Sequence, residues 1–190
     1  MEMLIGGNWI DREEKIEVLN PQDNSVVDTV PSATNEDVED AFTSAEIGAQ
    51  KMAELSTHEK YKILSKTSAL LDERKEEFSR TIALEGVKTI REARAEVNRA
   101  IDGLMYAAEE SKRIGGEVMR LDGDYRESSK FGYWIREPAG IVLAITAYND
   151  PLNLVVHKAA PAIAAGNAVV VKPTYLTPLS ALKLGGLFLE

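Results

Sequence analysis

Two side chains that carry N–H donors, Asn149 and Lys172, follow two apolar runs rich in β-branched residues, at 141–145 and 168–171. Between the runs lies a mostly apolar segment of helical length that opens at Pro151. Strand, helix and strand in this order form a parallel pair joined by a crossover helix. In open α/β sheets ligands bind just outside the carboxyl ends of the strands, so a neutral amide and an ammonium group there face one crevice. Other chemistries lack their residues. The sequence has no cysteine, which removes a thiolate nucleophile, a thiolate metal site and any disulfide within it. No Gly-x-Ser-x-Gly segment presents a hydrolase serine. His58 and His157 are far apart on segments of helical spacing and have no cysteine companions, which favours solvent-facing or hydrogen-bonded histidines over metal ligands.

The residues around Asn149 and Lys172 form a longer pattern: Pro138 and Gly140, the segment 145–151, Ala165-Gly166-Asn167, and Lys172-Pro173-Thr174. Together they resemble the aldehyde dehydrogenase superfamily, whose pattern is Pro-x-Gly, a strand, Ile-x-Pro-aromatic-Asn-x-Pro, a helix, Ala-Gly-Asn, a strand and Lys-Pro-Ser/Thr. Pro151-Leu-Asn-Leu154 with His157-Lys158 resembles the branch that includes lactaldehyde and non-phosphorylating glyceraldehyde-3-phosphate dehydrogenases. The resemblance implies oxidation of an aldehyde to a carboxylic acid with NAD or NADP. It makes Asn149 the amide donor to the negative oxygen of a tetrahedral adduct, a role in which a neutral N–H donor stabilises the transition state. Lys172, followed by Pro173-Thr174, resembles the lysine that hydrogen-bonds the adenosine ribose hydroxyls. Ile145, Ala147 and Tyr148 pass near the cofactor in the same comparison, and Thr174 and Tyr175 complete the cofactor set.

Three positions depart from the family pattern. Ala147 replaces a proline, and Asp150 replaces an aromatic or apolar residue, which puts a carboxylate close to where an oxyanion forms. Tyr175 stands where many NAD-specific relatives have a glutamate that accepts from the ribose 2′-OH and repels a 2′-phosphate, so NADP is permitted. Simpler readings remain beside these roles. Asn149-Asp150-Pro151 is also a sound turn sequence, and Lys172 at a strand end also snorkels into water.

The elements that must position these groups are legible along the whole chain. A net charge of −9, from 22 Lys+Arg against 31 Asp+Glu, argues against binding to nucleic acid or to an anionic membrane surface. No apolar run approaches the roughly 20 residues of a membrane span, and the amino terminus lacks a signal-peptide pattern, so a cytoplasmic protein is expected. Gly6-Gly7 between Leu4-Ile5 and Trp9-Ile10 predicts a hairpin, and 26–30 a strand stopped by Pro31. Thr34 with Asp37, and Ser56 with Glu59, predict helix starts; the second helix carries Leu64, Leu71, Phe78, Ile82 and Leu84 until Gly86. Glu85 to Ala93 resembles a helix junction of the same family, with its glycine one residue early and Thr89 in place of a proline. Ala93, Val97, Ala100, Leu104 and Ala108 mark a long amphipathic helix closing near Gly115-Gly116. The stretch 117–129 reads as a polar connection. The stretch 131–136 alternates as a strand which, by resemblance, belongs to a β-arm at a subunit contact.

The expected fold class is therefore α/β: the amino-terminal part of an aldehyde dehydrogenase-like fold, with an incomplete doubly wound parallel sheet, amphipathic helices and a β-arm. Three regions are expected: 1–116, the hairpin, strand and helical part of the cofactor-binding domain; 117–137, the oligomerisation arm; and 138–190, the first βαβ unit. Thr177 predicts a helix cap with Pro178 at the first helical position, leading to Glu190. A doubly wound domain needs further strands to cover that helix, so the residues read as an amino-terminal fragment, inactive alone, of a protein that is a homo-dimer or homo-tetramer when intact. In relatives the cysteine nucleophile and glutamate base lie beyond such a region. The competing reading is a non-catalytic nucleotide-binding or oligomerisation protein without the catalytic half.

Overall fold

In the computed structural model, which describes residues 1–123 and 130–190, the chain opens on a tight hairpin of β1 (Met3–Ile5) and β2 (Asn8–Ile10). Gly6 and Gly7 sit at φ +58° and +83°, the left-handed region that a two-residue hairpin turn demands. A second antiparallel pair joins β3 (Lys15–Leu19) to β4 (Val26–Pro31). β3 has no expectation behind it in the sequence, because only Ile16 and Val18 mark its inner face between charged residues.

Four helices follow: α1 (Asn35–Glu54), α2 (Thr57–Glu73), α3 (Lys75–Glu85) and α4 (Ile90–Ser111). Thr34 with Asp37 and Ser56 with Glu59 form reciprocal capping boxes on α1 and α2, and Thr89 with Glu92 forms a third on α4. Such a cap contributes about 0.5–2 kcal/mol, and it explains how Thr89 replaces the family's proline without loss of a helix start. The single helix expected from Ser56 to Gly86 is instead broken at Arg74, whose φ of −105° and ψ of 16° leave the helical region. No glycine or proline marks that break. Leu84 is exposed, and Glu85 takes the buried position beside Ile82.

The core lies among α2 to α5 and the last helix, with Leu64, Leu71, Phe78, Leu104, Leu152 and Leu184 almost wholly buried. Each such side chain stabilises the fold by about 1.5–3 kcal/mol relative to exposure. Beyond α4, β5 (Gly116–Met119) pairs antiparallel with β6 (Gly132–Ile135). A strand thus occupies the start of the expected polar connection, and 124–129 of that stretch lies outside the described residues. Val118, Tyr133 and Ile135 of this arm are exposed.

The parallel pair is as expected. β7 (Ile141–Ile145) and β8 (Ala168–Lys172) run in register from Ile141 opposite Ala168 to Ile145 opposite Lys172, with α5 (Asn153–Ala164) between them in sequence. Gly166, at φ +84°, ends α5 in a Schellman motif: its N–H donates to the Ile163 carbonyl, and the Asn167 N–H to the Ala162 carbonyl, both at 2.9 Å. The buried Asn167 amide then ties the helix end to the sheet, accepting from the Gly140 N–H at 2.9 Å and donating to the Ala162 carbonyl at 3.1 Å. Gly-Asn is therefore a clamp that fixes where β8 begins. One face of β7 is uncovered among the described residues, since Leu143 and Ile145 stay exposed while Ala144, pointing the other way, is buried. That is an incomplete doubly wound sheet.

The last helix, α6 (Leu179–Leu189), begins one residue later than expected, with Pro178 at the cap position. Thr177 does not cap it; the Thr177 hydroxyl is buried without a hydrogen bond among the described residues. A carboxylate from another helix takes its place. Glu85 accepts from the Leu179 N–H at 2.6 Å and from the Ser180 N–H at 3.0 Å.

Candidate active site

The strand register places Ile145 and Lys172 side by side at one sheet edge, where the Thr146 N–H donates to the Lys172 carbonyl at 3.3 Å. Ala147, Tyr148 and Asn149 follow on an exposed loop that leaves the same edge. Thr174 is half-buried and its hydroxyl accepts from the Leu176 N–H at 3.4 Å, which shapes the turn carrying the exposed Tyr175. Ile145, Tyr148 and Tyr175 are each about 60% exposed (58%, 58% and 62%), an accessible apolar and aromatic surface beside a lysine. Among the described residues the Lys172 ammonium makes only a 3.5 Å contact with the Pro173 carbonyl, so its donors are available to a hydroxyl or phosphate. These residues fit the ribose of a dinucleotide at the carboxyl ends of parallel strands.

Asn149 has a different neighbourhood. Its Nδ2 donates to Asp150 Oδ2 at 3.3 Å, and Asp150 Oδ1 meets two cations, Lys88 through a short ion pair and Arg99 at 2.9 Å. Asp150 therefore does not stand as a bare carboxylate beside Asn149. Lys88 also pairs with Glu96 Oε2 at 2.5 Å, and Glu96 Oε1 accepts from the Leu152 and Asn153 N–H groups at 2.9 and 3.0 Å. Glu96 is wholly buried, and its carboxylate supplies the cap that the start of α5 lacks locally.

Lys88, Glu96 and Arg99 were not among the residues expected at the site. Glu96 had a signal, because it falls on the same helical stripe as Ala93, Val97 and Ala100, where a carboxylate needs a partner from elsewhere. His58 and His157 are both exposed on helices, and no group of three or more metal-ligating side chains occurs among the described residues. A cavity of about 420 Å³ lies between β1, α1, α2, α5, α6 and β8, and Val155, Ile163, Val171, Leu184 and Phe188 make it apolar. No helix among the described residues is long and apolar enough to cross a membrane.

A parallel βαβ unit with a lysine at the end of its second strand and an asparagine on the loop after its first, packed on a helical layer, defines an α/β protein. The chain belongs to the aldehyde dehydrogenase family, whose sequence model matches residues 9–190. It is 44% identical over 172 residues to aspartate-semialdehyde dehydrogenase 1 of Pseudomonas canavaninivorans, an alignment covering 90% of this chain and 37% of that protein. Aldehyde dehydrogenase 21 of Physcomitrella patens, solved with its reaction product succinate, superposes with a TM-score of 0.95 at 39% identity, over 100% of this chain and 40% of that one. The NADP-dependent glyceraldehyde-3-phosphate dehydrogenase of Bacillus halodurans, solved with NADP, superposes with a TM-score of 0.93 at 33% identity, over 98% of this chain and 40% of that one. The chain thus spans about two fifths of the length of these proteins.

Proposed function

We propose that these residues form the amino-terminal part of an NAD(P)-dependent aldehyde dehydrogenase that oxidises a small aldehyde to a carboxylic acid. The observation that carries this reading is the strand register that sets Lys172 and the Asn149 loop on one sheet edge in a member of this family. Lys172, Thr174 and Tyr175 lie on the ribose side of the cofactor, with Ile145, Ala147 and Tyr148 along its path, and Asn149 donates to the substrate oxygen. When bound, NAD(P) supplies the hydride acceptor. The proposed regions remain 1–116, 117–137 and 138–190, with the exposed apolar arm of β5 and β6 as a subunit contact of a dimer or tetramer. The glyceraldehyde-3-phosphate activity of the Bacillus neighbour and the Pro-Leu-Asn-Leu segment favour a three-carbon aldehyde such as glyceraldehyde-3-phosphate or lactaldehyde.

The 190-residue chain is expected to show no aldehyde-dependent NAD(P)H formation, because it holds no cysteine to form the covalent adduct. Joined in frame to the remaining length of one of its relatives, it is expected to regain that absorbance signal with short aldehydes. Turnover by the 190 residues alone, or a folded chimera that binds neither cofactor nor aldehyde, contradicts the reading.

Cofactor choice gives a second test at Tyr175. With no carboxylate there to repel a 2′-phosphate, NADP should be used at least comparably with NAD. Tyr175→Glu is expected to shift the ratio of kcat/KM values toward NAD by on the order of tenfold, the scale of one charged contact. An unchanged ratio shows that this side chain does not reach the ribose.

A further inference from the structure

The charged contacts behind Asn149 do more than cap a helix. The buried Glu96 carboxylate has both oxygens engaged, Oε1 by the first two amides at α5 and Oε2 by Lys88, so it cannot rotate without orphaning a donor. Lys88 is thereby fixed between Glu96 and Asp150, and Arg99 holds the same Asp150 oxygen from the solvent side. The Asp150 carbonyl also accepts from the Leu154 N–H at 2.9 Å, which ties that residue to the first turn of α5. This leaves Asp150 Oδ2 for the Asn149 side-chain amide. A primary amide has two N–H donors; one is held by Asp150, and the other remains for a ligand. Two carboxylates against two cations give the cluster no net charge, so Asp150 does not repel a negative oxygen formed beside Asn149.

We propose that Glu96, Lys88 and Asp150 are positioning residues that act in series on the Asn149 amide, so that the oxyanion donor is oriented before substrate arrives. This rests on the proposed role of Asn149 itself. It gives a function to Asp150, where the family pattern has an aromatic or apolar residue. Preorganised donors stabilise a transition state without reorganising at the moment of reaction, so loss of the relay should appear in kcat.

The test uses the chimeric dehydrogenase and a double-mutant cycle. Asp150→Leu is expected to lower kcat by on the order of tenfold with little change in the KM for cofactor. Lys88→Met should lower it several-fold, and Lys88→Arg should restore most of that loss. In an Asn149→Ala background, Asp150→Leu should cost almost nothing further, because it acts only through the missing amide. Multiplicative losses in the double variant, or an unchanged kcat in Asp150→Leu while Asn149→Ala is slow, overturn the relay and leave the role of Asn149 standing. An unchanged kcat in Asn149→Ala overturns both. A second measurement needs no turnover: in the 190-residue chain, the Asn149 side-chain amide should exchange its protons faster with solvent in Asp150→Leu than in the parent. Equal exchange overturns the proposal.

Discussion

Asn149→Ala, in a dehydrogenase that carries these residues, is expected to lower kcat by on the order of 100-fold, about 2.7 kcal/mol of transition-state stabilisation, as for other single oxyanion donors. Cofactor affinity should barely move, since the amide sits on the loop at 146–150, whereas the proposed ribose contact is Lys172 at the end of β8. Lys172→Ala should show the opposite pattern, with a raised KM for NAD(P) and a smaller loss at saturation. Steady-state kinetics with cofactor and aldehyde varied in turn separate the two. A kcat within a few-fold of the parent in Asn149→Ala leaves Asn149-Asp150-Pro151 as a turn that leads into α5 and nothing more.

The features legible in the sequence are the ones made by near neighbours. Capping boxes at Thr34 and Ser56 join residues three apart, so residue types at fixed spacing specify them. The parallel pairing of β7 and β8 was also readable, because two β-branched runs flanking a helical segment allow few other arrangements. What escaped is tertiary. Thr177 reads as the cap of α6, yet Glu85, 94 residues earlier, performs that task, and Glu96 does the same for α5 across 56 residues. Both glutamates lie on apolar stripes of their helices, the one trace that such caps leave in a sequence. The site divides in the same way. Asn149 and Lys172 stand out at the ends of their runs, whereas Lys88 and Arg99 look like ordinary surface charges until α4 is packed against α5.

Glu85→Ala is expected to destabilise the fold by about 2–6 kcal/mol, because it leaves the Leu179 and Ser180 N–H groups buried without an acceptor, at about 1–3 kcal/mol for each orphaned group. Glu85 is 2% exposed, and among the described residues no cation shares its carboxylate as Lys88 shares that of Glu96. Burial pushes its carboxyl above the ordinary glutamate range, opposed by Ser180 and the two backbone donors. The sign of the pH dependence follows. Between the ordinary value and the raised one the folded chain binds more protons than the unfolded chain, so stability from this group falls as pH rises through that window. Above the window both states are ionised and the penalty stays constant. Glu85→Gln removes this titration while keeping one acceptor, so the difference in stability between parent and variant should change as pH rises above the ordinary glutamate value and level off once the raised one is passed. Urea unfolding of the parent, Glu85→Gln and Glu85→Ala at several pH values measures both effects. A parent whose stability relative to Glu85→Gln is independent of pH would show that the carboxyl titrates normally, and that amide donation at the start of α6 offsets its burial.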